Sequence, residues 1–473
     1  MRAHPAGPRH GENARSDEPW HPGDSWAFNA IDRELWPTTA RRDVSSGVIE
    51  IGGCDVRDLV DQHGSPLFVV DEVDFRIRAS DYREAFDDVE IPTDVFYAAK
   101  AFICTTLAKW VIEEGLGIDV CTGGELECVL RAGIPGKKIL MHGNNKSTEE
   151  LAAALDAGVG HIVVDSFEEI ARLGFLAAER GVRPKVFVRV TVGVEAHTHE
   201  FIATAHEDQK FGFSLASGAA NEAVDRVLAM PDIELAGLHS HIGSQIFVAS
   251  GFEIAASRIV TLLAEIRDQH GVELEQLNLG GGLGIKYVPG DQPLDVGQMA
   301  IRLREIIANE CAKSNLAIPR LAFEPGRAIV GPSTITLYTV GTVKRVDLDR
   351  GNSRLYVSVD GGMSDNIRTA LYDAEYTATL ASRASQSDTV MCRVVGKHCE
   401  SGDIVVTDVW LPEDITPGDV LAVAATGAYN RSMASNYNMV PKPGVVSVKD
   451  GDVKTLLRRE TLDDLWALDP GAG

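Results

Sequence analysis

The chain repeats one pattern eight times between about residue 95 and residue 330: a short apolar strand, a glycine-rich or polar turn, and an amphipathic helical stretch. Apolar strands that alternate with helices are typical of a parallel sheet covered by helices. Eight such units match a TIM-type (β/α)8 barrel better than an open sheet. The predicted strands are VFYAAKA, GIDVC, ILMHG, HIVVDS, KVFVRV, LAGLHSHIG, QLNLGGG and RLAFEPG.

The sequence after about residue 332 changes to strands with little helix, such as ITLYTVGTVKRV and DIVVTDVWL. We predict a C-terminal antiparallel β domain over residues 333–473 and the barrel over residues 72–332. Two earlier strands, GVIEIGG and LFVVDE, lie in residues 46–71 and are expected to join the β domain. Residues 1–45 are rich in Pro, Gly, His and charge without periodicity, which predicts an extended or partly disordered arm.

Size and charge limit the possible classes of function. The 473 residues exceed the length at which one core stops growing, roughly 250 to 300 residues, which agrees with two domains. A net charge of −24 disfavours nucleic acid and anionic membranes as partners, although a local basic pocket could still bind a phosphate. The sequence therefore indicates a small-molecule substrate, with no nucleic-acid or membrane partner.

Cysteine usage and hydropathy bear on the compartment. The seven cysteines are scattered and never stand in CxxC spacing, which favours free thiols over disulfides or a structural zinc. No apolar stretch reaches the roughly 18 residues of a membrane span. The first 45 residues lack the charged start and apolar core of a signal peptide, so we predict a cytoplasmic protein.

Ionisable residues and glycines stand where the predicted barrel strands end. A barrel concentrates its chemistry there, so these are the candidate functional residues. GGG after strand seven and EPGR after strand eight lie where many barrels hold a phosphate on backbone N–H groups, although a GGG can also be only a tight turn. The strand-end residues are Lys100, Asp119, His142, Asp165, Arg189, His241, Gly280, Gly281, Gly282, Glu324 and Arg327.

Lys100 stands near the end of the apolar run FYAAKAF, where desolvation would disfavour a charged ammonium. A neutral lysine beside a phosphate site could form a Schiff base, either with a sugar phosphate, as in an aldolase, or with pyridoxal phosphate. The alternative is a lysine at the barrel rim whose ammonium reaches water. The residues alone leave these possibilities open.

Ten motifs between about residues 46 and 460 stand in an order that closely resembles the pyridoxal-phosphate decarboxylases of the alanine-racemase-like barrel fold. Within that group they are similar to the diaminopimelate decarboxylase family. The resemblance implies decarboxylation of meso-2,6-diaminopimelate to L-lysine and CO2, the last step of bacterial lysine biosynthesis. The motifs are FYAAK, GIDVCTGGEL, HGNNKS, KFG, HSHIGSQ, LNLGGGLG, EPGR, SDNIRTALY, CESGD and GAYN.

The resemblance implies pyridoxal 5'-phosphate as the cofactor, held by Lys100 through a Schiff base, with Asp119 near that lysine. His241 would stack on the cofactor ring, and Glu324 would face its pyridine nitrogen. A carboxylate there keeps the nitrogen protonated and favours decarboxylation, whereas related racemases typically carry an arginine. The other cofactor contacts would come from Ser244, Gly280, Gly281, Gly282, Gly326, Arg327 and Tyr429.

The resemblance also assigns the distal end of the substrate, which carries a carboxylate and an ammonium. Arg327, Arg368 and Tyr372 would bind the carboxylate, and the spacing of the last two puts them on one face of a helical turn. Glu400 would pair with the distal ammonium. Tyr429 would contact both cofactor and substrate.

Cys399 would be the proton donor to the α-carbon, because a thiol with an ordinary pKa of about 8.5 is still mostly protonated at neutral pH. In the family, the residues that match Cys399 and Glu400 come from the partner subunit. The resemblance therefore implies a homodimer with two shared active sites.

The chain departs from the family pattern in RVTVGVEAHTHEF, where many relatives carry Asn-Pro, and residues 191–209 are expected to form a loop over the site. His197, His199 and His206 lie there without a Cys or acidic ligand pattern, so we predict no metal site. Two other hypotheses stay open: a related decarboxylase or racemase for another basic amino acid, and a non-catalytic regulator that keeps the fold.

Overall fold

The computed structural model describes residues 28–87, 89, 91–193, 210–241, 243–247, 250–348 and 353–472. The chain divides into two compact units. The first, here called the β unit, comprises the chain up to Phe75, Ile285–Asp291 and the chain from Val330 onward. The second, the barrel unit, comprises Arg76–Gly284 and Gln292–Ile329. The domain limits given by the sequence stay a prediction.

Two predicted segments fall partly outside the described residues. They are residues 1–27 of the arm and residues 194–209 of the loop, with His197, His199 and His206. The rest of the predicted arm is folded, because Leu35 and Trp36 are buried in the same hydrophobic core as Val48 and Ile49.

The chain enters the β unit through short elements. Strands β1 (Arg41–Arg42), β2 (Ile49–Ile51) and β3 (Cys54–Asp55) form a small antiparallel sheet. Helix α1 (Val56–His63) begins at Asp55, whose carboxylate accepts a hydrogen bond from the backbone N–H of Arg57. Strand β4 (Leu67–Asp71) and helix α2 (Glu72–Asp87) follow.

The closed barrel predicted from the eight repeats is confirmed. All its neighbouring strands pair in parallel, and the ring closes where β13 pairs with β5 and β8 pairs with β9. A short extra strand, β10, pairs with β9. The strands are β5 (Thr93–Ala98), β6 (Gly117–Val120), β7 (Ile139–Met141), β8 (His161–Val164), β9 (Lys185–Thr191), β10 (Phe213–Ser214), β11 (Glu234–His239), β12 (Gln276–Asn278) and β13 (Arg320–Phe323).

Helices connect the barrel strands, as the alternating pattern predicts. Within the barrel, Phe96, Leu140, Val163, Phe187 and Ala322 form one apolar cluster with side chains from five strands. The helices are α3 (Thr105–Glu113), α4 (Gly123–Arg131), α5 (Thr148–Asp156), α6 (Phe167–Arg180), α7 (Ala219–Leu228), α8 (Ser250–His270), α9 (Val296–Lys313) and α10 (Arg327–Val330).

Glutamates in the first turn of α4, α5 and α6 bind backbone at the strand ends. Glu125 accepts from the N–H of Cys121 at 2.7 Å, and Glu169 accepts from the N–H of Asp165 at 3.2 Å. Glu150 binds two N–H groups: that of Ser147 at 2.8 Å and, in the preceding unit, that of Gly123 at 2.6 Å. Successive βα turns are therefore tied to one another at the carboxyl end of the barrel.

Lys146 provides a second tie between successive barrel units. Its side chain is fully buried, and Nζ lies 2.6 Å from Oε1 of Glu169. Nζ also donates to the backbone carbonyls of Gly143 at 2.6 Å and Val163 at 2.8 Å. The ammonium thus has three partners in a place that excludes water.

The β unit contains one large sheet, in which β18, β17, β15, β14, β4, β20 and β21 are neighbours in that order. Two pairs, β15 with β17 and β4 with β20, are parallel, where we predicted an antiparallel domain; long connections between the paired strands allow this. The remaining elements are β14 (Thr334–Asp347), β15 (Ser353–Val359), α11 (Arg368–Tyr372), β16 (Ala378–Leu380), β17 (Thr389–Val395), β18 (Ile404–Pro412), β19 (Val420–Val423), β20 (Gly444–Lys449), β21 (Asp452–Leu457) and α12 (Leu462–Trp466).

Among the described residues, no helix has both the length and the apolar character needed to cross a bilayer.

Replacing Lys146 by Met should lower the stability of the protein by about 3 kcal/mol, because the substitution leaves the Glu169 carboxylate buried without its cation. Urea unfolding would measure the loss as a lower midpoint. The double variant Lys146→Met, Glu169→Leu should regain part of it, since both charges are then removed.

The matched control is Arg131→Met, which removes a cation from an exposed pair with Glu127. Its stability should stay within about 0.5 kcal/mol of the parent. An equal loss in the Lys146→Met and Arg131→Met variants would contradict a structural role for the buried pair.

Candidate active site

Lys100 lies in the turn after β5, two residues beyond the end of the strand at Ala98. The turn is held by a hydrogen bond from the N–H of Ala99 to the carbonyl of Asp119, at 2.9 Å. Ala99 and Ala101 are buried, but Lys100 is exposed. The expectation of a desolvated lysine is not met, because the strand ends before Lys100 and the turn leaves its side chain accessible.

A buried carboxylate, Glu324, directly follows β13. Its Oε1 lies 2.7 Å from Nε2 of His142 and 2.8 Å from Nδ2 of Asn278. Its Oε2 lies 3.4 Å from Nε2 of His239. His142 directly follows β7, while His239 and Asn278 end β11 and β12, so residues at the ends of three strands meet the carboxylate that follows β13.

The protonation states in this cluster follow from burial and hydrogen bonding. Burial disfavours ionised Glu324, but His142 and His239, with their hydrogen bonds, outweigh it and hold the pKa of Glu324 well below its usual value. Burial also lowers the pKa of His239 to about 4. At neutral pH the structure therefore buries a carboxylate against a neutral His239 ring.

The ligand atoms of His142, His239 and Glu324 all lie within 4.8 Å of one another, which is also a set that could hold a metal ion. The direct 2.7 Å contact between His142 and Glu324 already satisfies the carboxylate as a hydrogen bond. His142 and Glu324 thus contact each other directly, as hydrogen-bond partners.

Asp119 is buried in β6, with Oδ1 3.9 Å from Nε2 of His142. Burial raises the pKa of Asp119 to about 7; His142 opposes the shift, Glu324 adds to it, and Lys100 opposes it. Asp119 therefore titrates near neutral pH while Glu324 stays ionised.

The three glycines after β12 leave no room for side chains. A Cβ on Gly281 would lie 2.1 Å from the carbonyl oxygen of Glu324, and one on Gly282 would lie 2.1 Å from that of Gly243. A Cβ on Gly280 would lie 2.7 Å from Nδ1 of His241, and Gly280 also has a φ of +68°. Glycine is required at all three positions, because backbone or an imidazole ring occupies the space.

His241 is oriented by this glycine loop. The N–H of Gly281 donates to Nδ1 of His241 at 3.1 Å, so Nε2 carries the hydrogen of the neutral ring. Burial and the positive charges of Lys100 and Arg189 lower the pKa of His241 well below its usual value. The structure thus holds a neutral imidazole with a defined tautomer beside the glycine loop.

Arg327 and Ser244 contact each other. Nη2 of the buried Arg327 donates to Oγ of Ser244 at 2.9 Å. The neighbouring Gly326 packs against the first strand, since a Cβ there would lie 2.8 Å from Cβ of Ala98. An arginine and a hydroxyl are thus fixed within the barrel unit.

Arg368 in the β unit is buried at the start of α11. Nη1 donates to the hydroxyl of Tyr287 at 2.9 Å and to that of Tyr376 at 2.6 Å. No carboxylate of the described residues forms an ion pair with it. Burial lowers the pKa of Arg368, but the two tyrosines outweigh this and raise it above its usual value.

Tyr372 was predicted to bind the distal carboxylate, and Tyr429 to contact cofactor and substrate. Tyr372 ends the helix that Arg368 begins and is partly buried, and its hydroxyl forms no hydrogen bond with Arg368. Tyr429 has a backbone φ of +65°, which is uncommon for a residue with a side chain. The structure places Arg368 with Tyr287 and Tyr376 instead.

Cys399 and Glu400 lie on an exposed loop closed by Asp403. The buried carboxylate of Asp403 accepts from the N–H groups of His398 at 2.7 Å and Met363 at 2.6 Å. All seven cysteines are free, and Cys399 alone is exposed. The thiol of Cys399 and the carboxylate of Glu400 thus lie at the surface, on a loop held by hydrogen bonds to Asp403.

His239, Asn278, Tyr287 and Tyr376 were missed as site residues. His239 and Asn278 are the last residues of their strands, so the rule that selects strand ends would have found them with correct strand limits. Tyr376 lies four residues beyond Tyr372, but no motif marks it. Tyr287 reaches Arg368 from a distant part of the chain, which spacing cannot reveal.

Comparison with known proteins gives consistent matches. Residues 73–331 match the family described as pyridoxal-dependent decarboxylase, pyridoxal binding domain. The chain is 53% identical to the diaminopimelate decarboxylase of Mycobacterium leprae, over 99% of this chain and 100% of that protein. The corresponding protein of Mycobacterium tuberculosis is 55% identical, over 92% of this chain and 97% of its own length.

A solved structure is also similar. The crystal structure of diaminopimelate decarboxylase from M. jannaschii in complex with L-lysine matches with a TM-score of 0.84 and 32% identity. The match covers 92% of this chain and 98% of that one.

Titration of Asp119 should make stability depend on pH. With a pKa of about 7, folded Asp119 keeps a proton that the unfolded chain has already lost above about pH 4. Its contribution therefore falls as the pH rises from about 4 to 7. In cofactor-free protein, the stability of Asp119→Asn relative to the parent should therefore rise by about 2 to 3 kcal/mol between pH 5 and pH 8, measured by urea unfolding.

The control is Asp268→Asn, which removes an exposed carboxylate that pairs with Arg267 at the surface. A stability difference for Asp119→Asn that does not vary with pH would show that Asp119 does not titrate in this range.

Proposed function

The chain belongs to the diaminopimelate decarboxylase family of pyridoxal-dependent decarboxylases, and from that premise we propose which of its residues bind the cofactor and the substrate. Its reaction removes CO2 from meso-2,6-diaminopimelate and gives L-lysine, the last step of bacterial lysine biosynthesis. One observation carries the residue assignment: an ionised, buried Glu324 at the carboxyl end of the barrel.

The barrel unit fits pyridoxal 5'-phosphate. The glycine loop Gly280, Gly281 and Gly282 leaves no room for side chains, and neither does Gly326 after the eighth strand of the barrel. With Ser244 and Arg327, this loop and Gly326 would bind the phosphate, because N–H groups, a hydroxyl and a guanidinium are its usual donors. The N–H groups of Gly282 and Gly326 would donate to it, since those of Gly280 and Gly281 donate to Asn278 and His241. Lys100 is accessible for a covalent bond to the aldehyde.

When bound, pyridoxal phosphate supplies an electron sink for the electron pair that the departing CO2 leaves behind. Glu324 would hold a proton on the pyridine nitrogen, since its carboxylate is ionised and accepts hydrogen bonds. His241 would lie against the ring as a neutral imidazole, oriented by Gly281. Asp119 would lie near Lys100 and adjust the charge there.

Arg368 would bind the distal carboxylate of the substrate. The guanidinium of Arg368 is buried against two tyrosine hydroxyls, and no carboxylate of the described residues pairs with it. A carboxylate of the substrate could supply the missing counter-ion. Arg327 and Tyr372 would add donors, Glu400 would pair with the distal ammonium, and Tyr429 would contact cofactor and substrate. Ornithine and lysine lack the distal carboxylate and would leave Arg368 without an anion.

Cys399 would deliver the proton to the α-carbon in the active site of a partner subunit. The exposure of Cys399 and Glu400 on a loop held by Asp403 supports this proposal, because an exposed loop can enter the pocket of a second copy. The functional protein is then a homodimer with two shared sites. A cytoplasmic location stays a prediction from the sequence.

A racemase, or a decarboxylase for another basic amino acid, is less well supported. The acidic Glu324 occupies the position where related racemases typically carry an arginine, and the buried Arg368 favours a substrate that has a distal carboxylate. A non-catalytic regulator would have no use for the combination of Lys100, Glu324 and Cys399.

Two inactive variants should restore activity when they are mixed, if Lys100 and Cys399 serve a site from different subunits. Each variant, Lys100→Ala and Cys399→Ala, should retain little CO2 release from meso-diaminopimelate. After mixed refolding, half of the dimers carry one intact site, so activity should return to roughly a quarter of the parent value.

Borohydride reduction with peptide mapping supplies the control for the cofactor. A pyridoxyl group should be found on Lys100 of the parent and of Cys399→Ala, but not of Lys100→Ala. A pyridoxyl group at another lysine would remove Lys100 from its role, and mixed variants that stay inactive would contradict the shared site.

Arg368→Met should lower kcat/KM for meso-diaminopimelate by about 100-fold or more, because a charge-assisted contact to the substrate is lost. The preference for diaminopimelate over lysine as substrate should fall by a similar factor. Arg368→Lys keeps the positive charge but loses the two parallel N–H donors of the guanidinium. Its kcat/KM should lie between those of the parent and of Arg368→Met.

Arg345→Met is the matched control, since it removes an arginine of the same unit that pairs with Glu413 at the surface. Its kcat/KM should equal that of the parent. A folded Arg368→Met protein that keeps its preference for diaminopimelate would assign the distal carboxylate to another residue.

A further inference from the structure

His142 is a strand-end residue for which neither the resemblance nor the proposed function gives a role. It directly follows β7, and its buried ring lies between two carboxyl groups. Nε2 is 2.7 Å from Oε1 of Glu324 and 3.9 Å from Oδ1 of Asp119. An ionised carboxylate only accepts hydrogen bonds, so Nε2 of His142 carries a hydrogen and donates it to Glu324.

The two oxygens of Glu324 are used differently. Oε1 has two donors at short distance, His142 and Nδ2 of Asn278, at 2.7 Å and 2.8 Å. Nε2 of His239 lies 3.4 Å from both oxygens, so Oε2 has no short donor among the described residues. Oε1 is therefore satisfied inside the barrel, whereas Oε2 keeps capacity for a stronger donor.

Asn278 fixes the same carboxylate from the other side. Its Oδ1 accepts from the N–H of Gly280 at 2.8 Å, which determines the orientation of the amide and points Nδ2 at Glu324. The carboxylate is thus connected to the glycine loop through one side chain. His142 is the second donor to Oε1 and the only one of the two that belongs to the opposite, β7 side of the ring.

We propose that His142 is a positioning residue: its Nε2–H holds Oε1 of Glu324 so that Oε2 is presented, as a carboxylate, to the pyridine nitrogen of the cofactor. This inference rests on the proposed function, since it concerns how Glu324 meets that cofactor. The low pKa of Glu324 agrees with it: burial favours the neutral acid, and His142 is the largest opposing influence. Without this donor, the buried carboxylate would be more readily protonated and free to rotate.

Two amide variants of His142 test whether an N–H donor must reach Glu324. His142→Gln places an amide N–H near the position of Nε2, whereas the shorter amide of His142→Asn falls short of Glu324. With pyridoxal phosphate labelled by 15N at the pyridine nitrogen, the bound resonance of the parent should lie at the protonated position. It should move toward the deprotonated position in His142→Asn and stay close to the parent in His142→Gln.

Turnover should follow the same order. We expect kcat to fall by about 10- to 100-fold in His142→Asn with KM within about twofold, since the lost hydrogen bond to a charged group acts on the reacting cofactor and not on substrate binding. His142→Gln should recover most of the loss. Thermal unfolding of both cofactor-free variants establishes that they fold alike.

His161 provides the matched control. It is a histidine of the neighbouring strand β8 whose ring packs on Phe187, outside the cluster, and His161→Asn should leave the nitrogen resonance and kcat unchanged. An unchanged resonance and kcat in folded His142→Asn would overturn the inference, and so would an equal loss in His142→Gln. If the parent itself neither carries the pyridoxyl group on Lys100 nor releases CO2, the proposed function fails first and the inference falls with it.

Discussion

Closure of the barrel by the pairing of β13 with β5 is the constraint on which the rest of the site depends. The pairing joins Leu321–Phe323 to Thr93–Val95 and brings together chain segments more than 220 residues apart. Past the paired strands, the N–H of Ala98 donates to the carbonyl of Pro325 at 3.2 Å. The turn that carries Lys100 and the residues that carry Glu324 and Arg327 therefore belong to one rim, although nothing local in the sequence connects them.

A parallel barrel collects the carboxyl ends of all its strands at one rim, and there the polar side chains must satisfy one another. The first-turn glutamates Glu125, Glu150 and Glu169 accept hydrogen bonds from backbone N–H groups in the turns that follow the strands, where the pairing of the sheet has ended. Lys146 joins two of these turns through Glu169. A rim built in this way has little freedom to move, which is what a carboxylate needs if it is to meet a cofactor in one orientation.

The architecture could be predicted well from the sequence, because alternating apolar strands and amphipathic helices leave a periodic pattern in it. Eight apolar strands with helices between them predicted the closed barrel, and the chemistry at its strand ends followed from parallel pairing alone. The predicted strand limits were less accurate. The strand before Lys100 ends at Ala98, so the lysine is exposed and not desolvated. The contacts of Arg368 with Tyr287 and Tyr376 depend on packing between distant segments, for which the spacing within SDNIRTALY holds no information.

Charge acts in opposite senses at long and short range. The net charge of −24 repels anions approaching the molecule, yet the substrate has two carboxylates and the cofactor a phosphate. Salt screens that repulsion over about 8 to 10 Å, whereas buried cations are screened much less. Arg368, Arg327 and Arg189 are all buried, so their attraction acts on an anion only after water has been removed around it. In the proposed function, these local guanidinium groups would set the binding strength, while the acidic surface disfavours anions that have no such partner to reach.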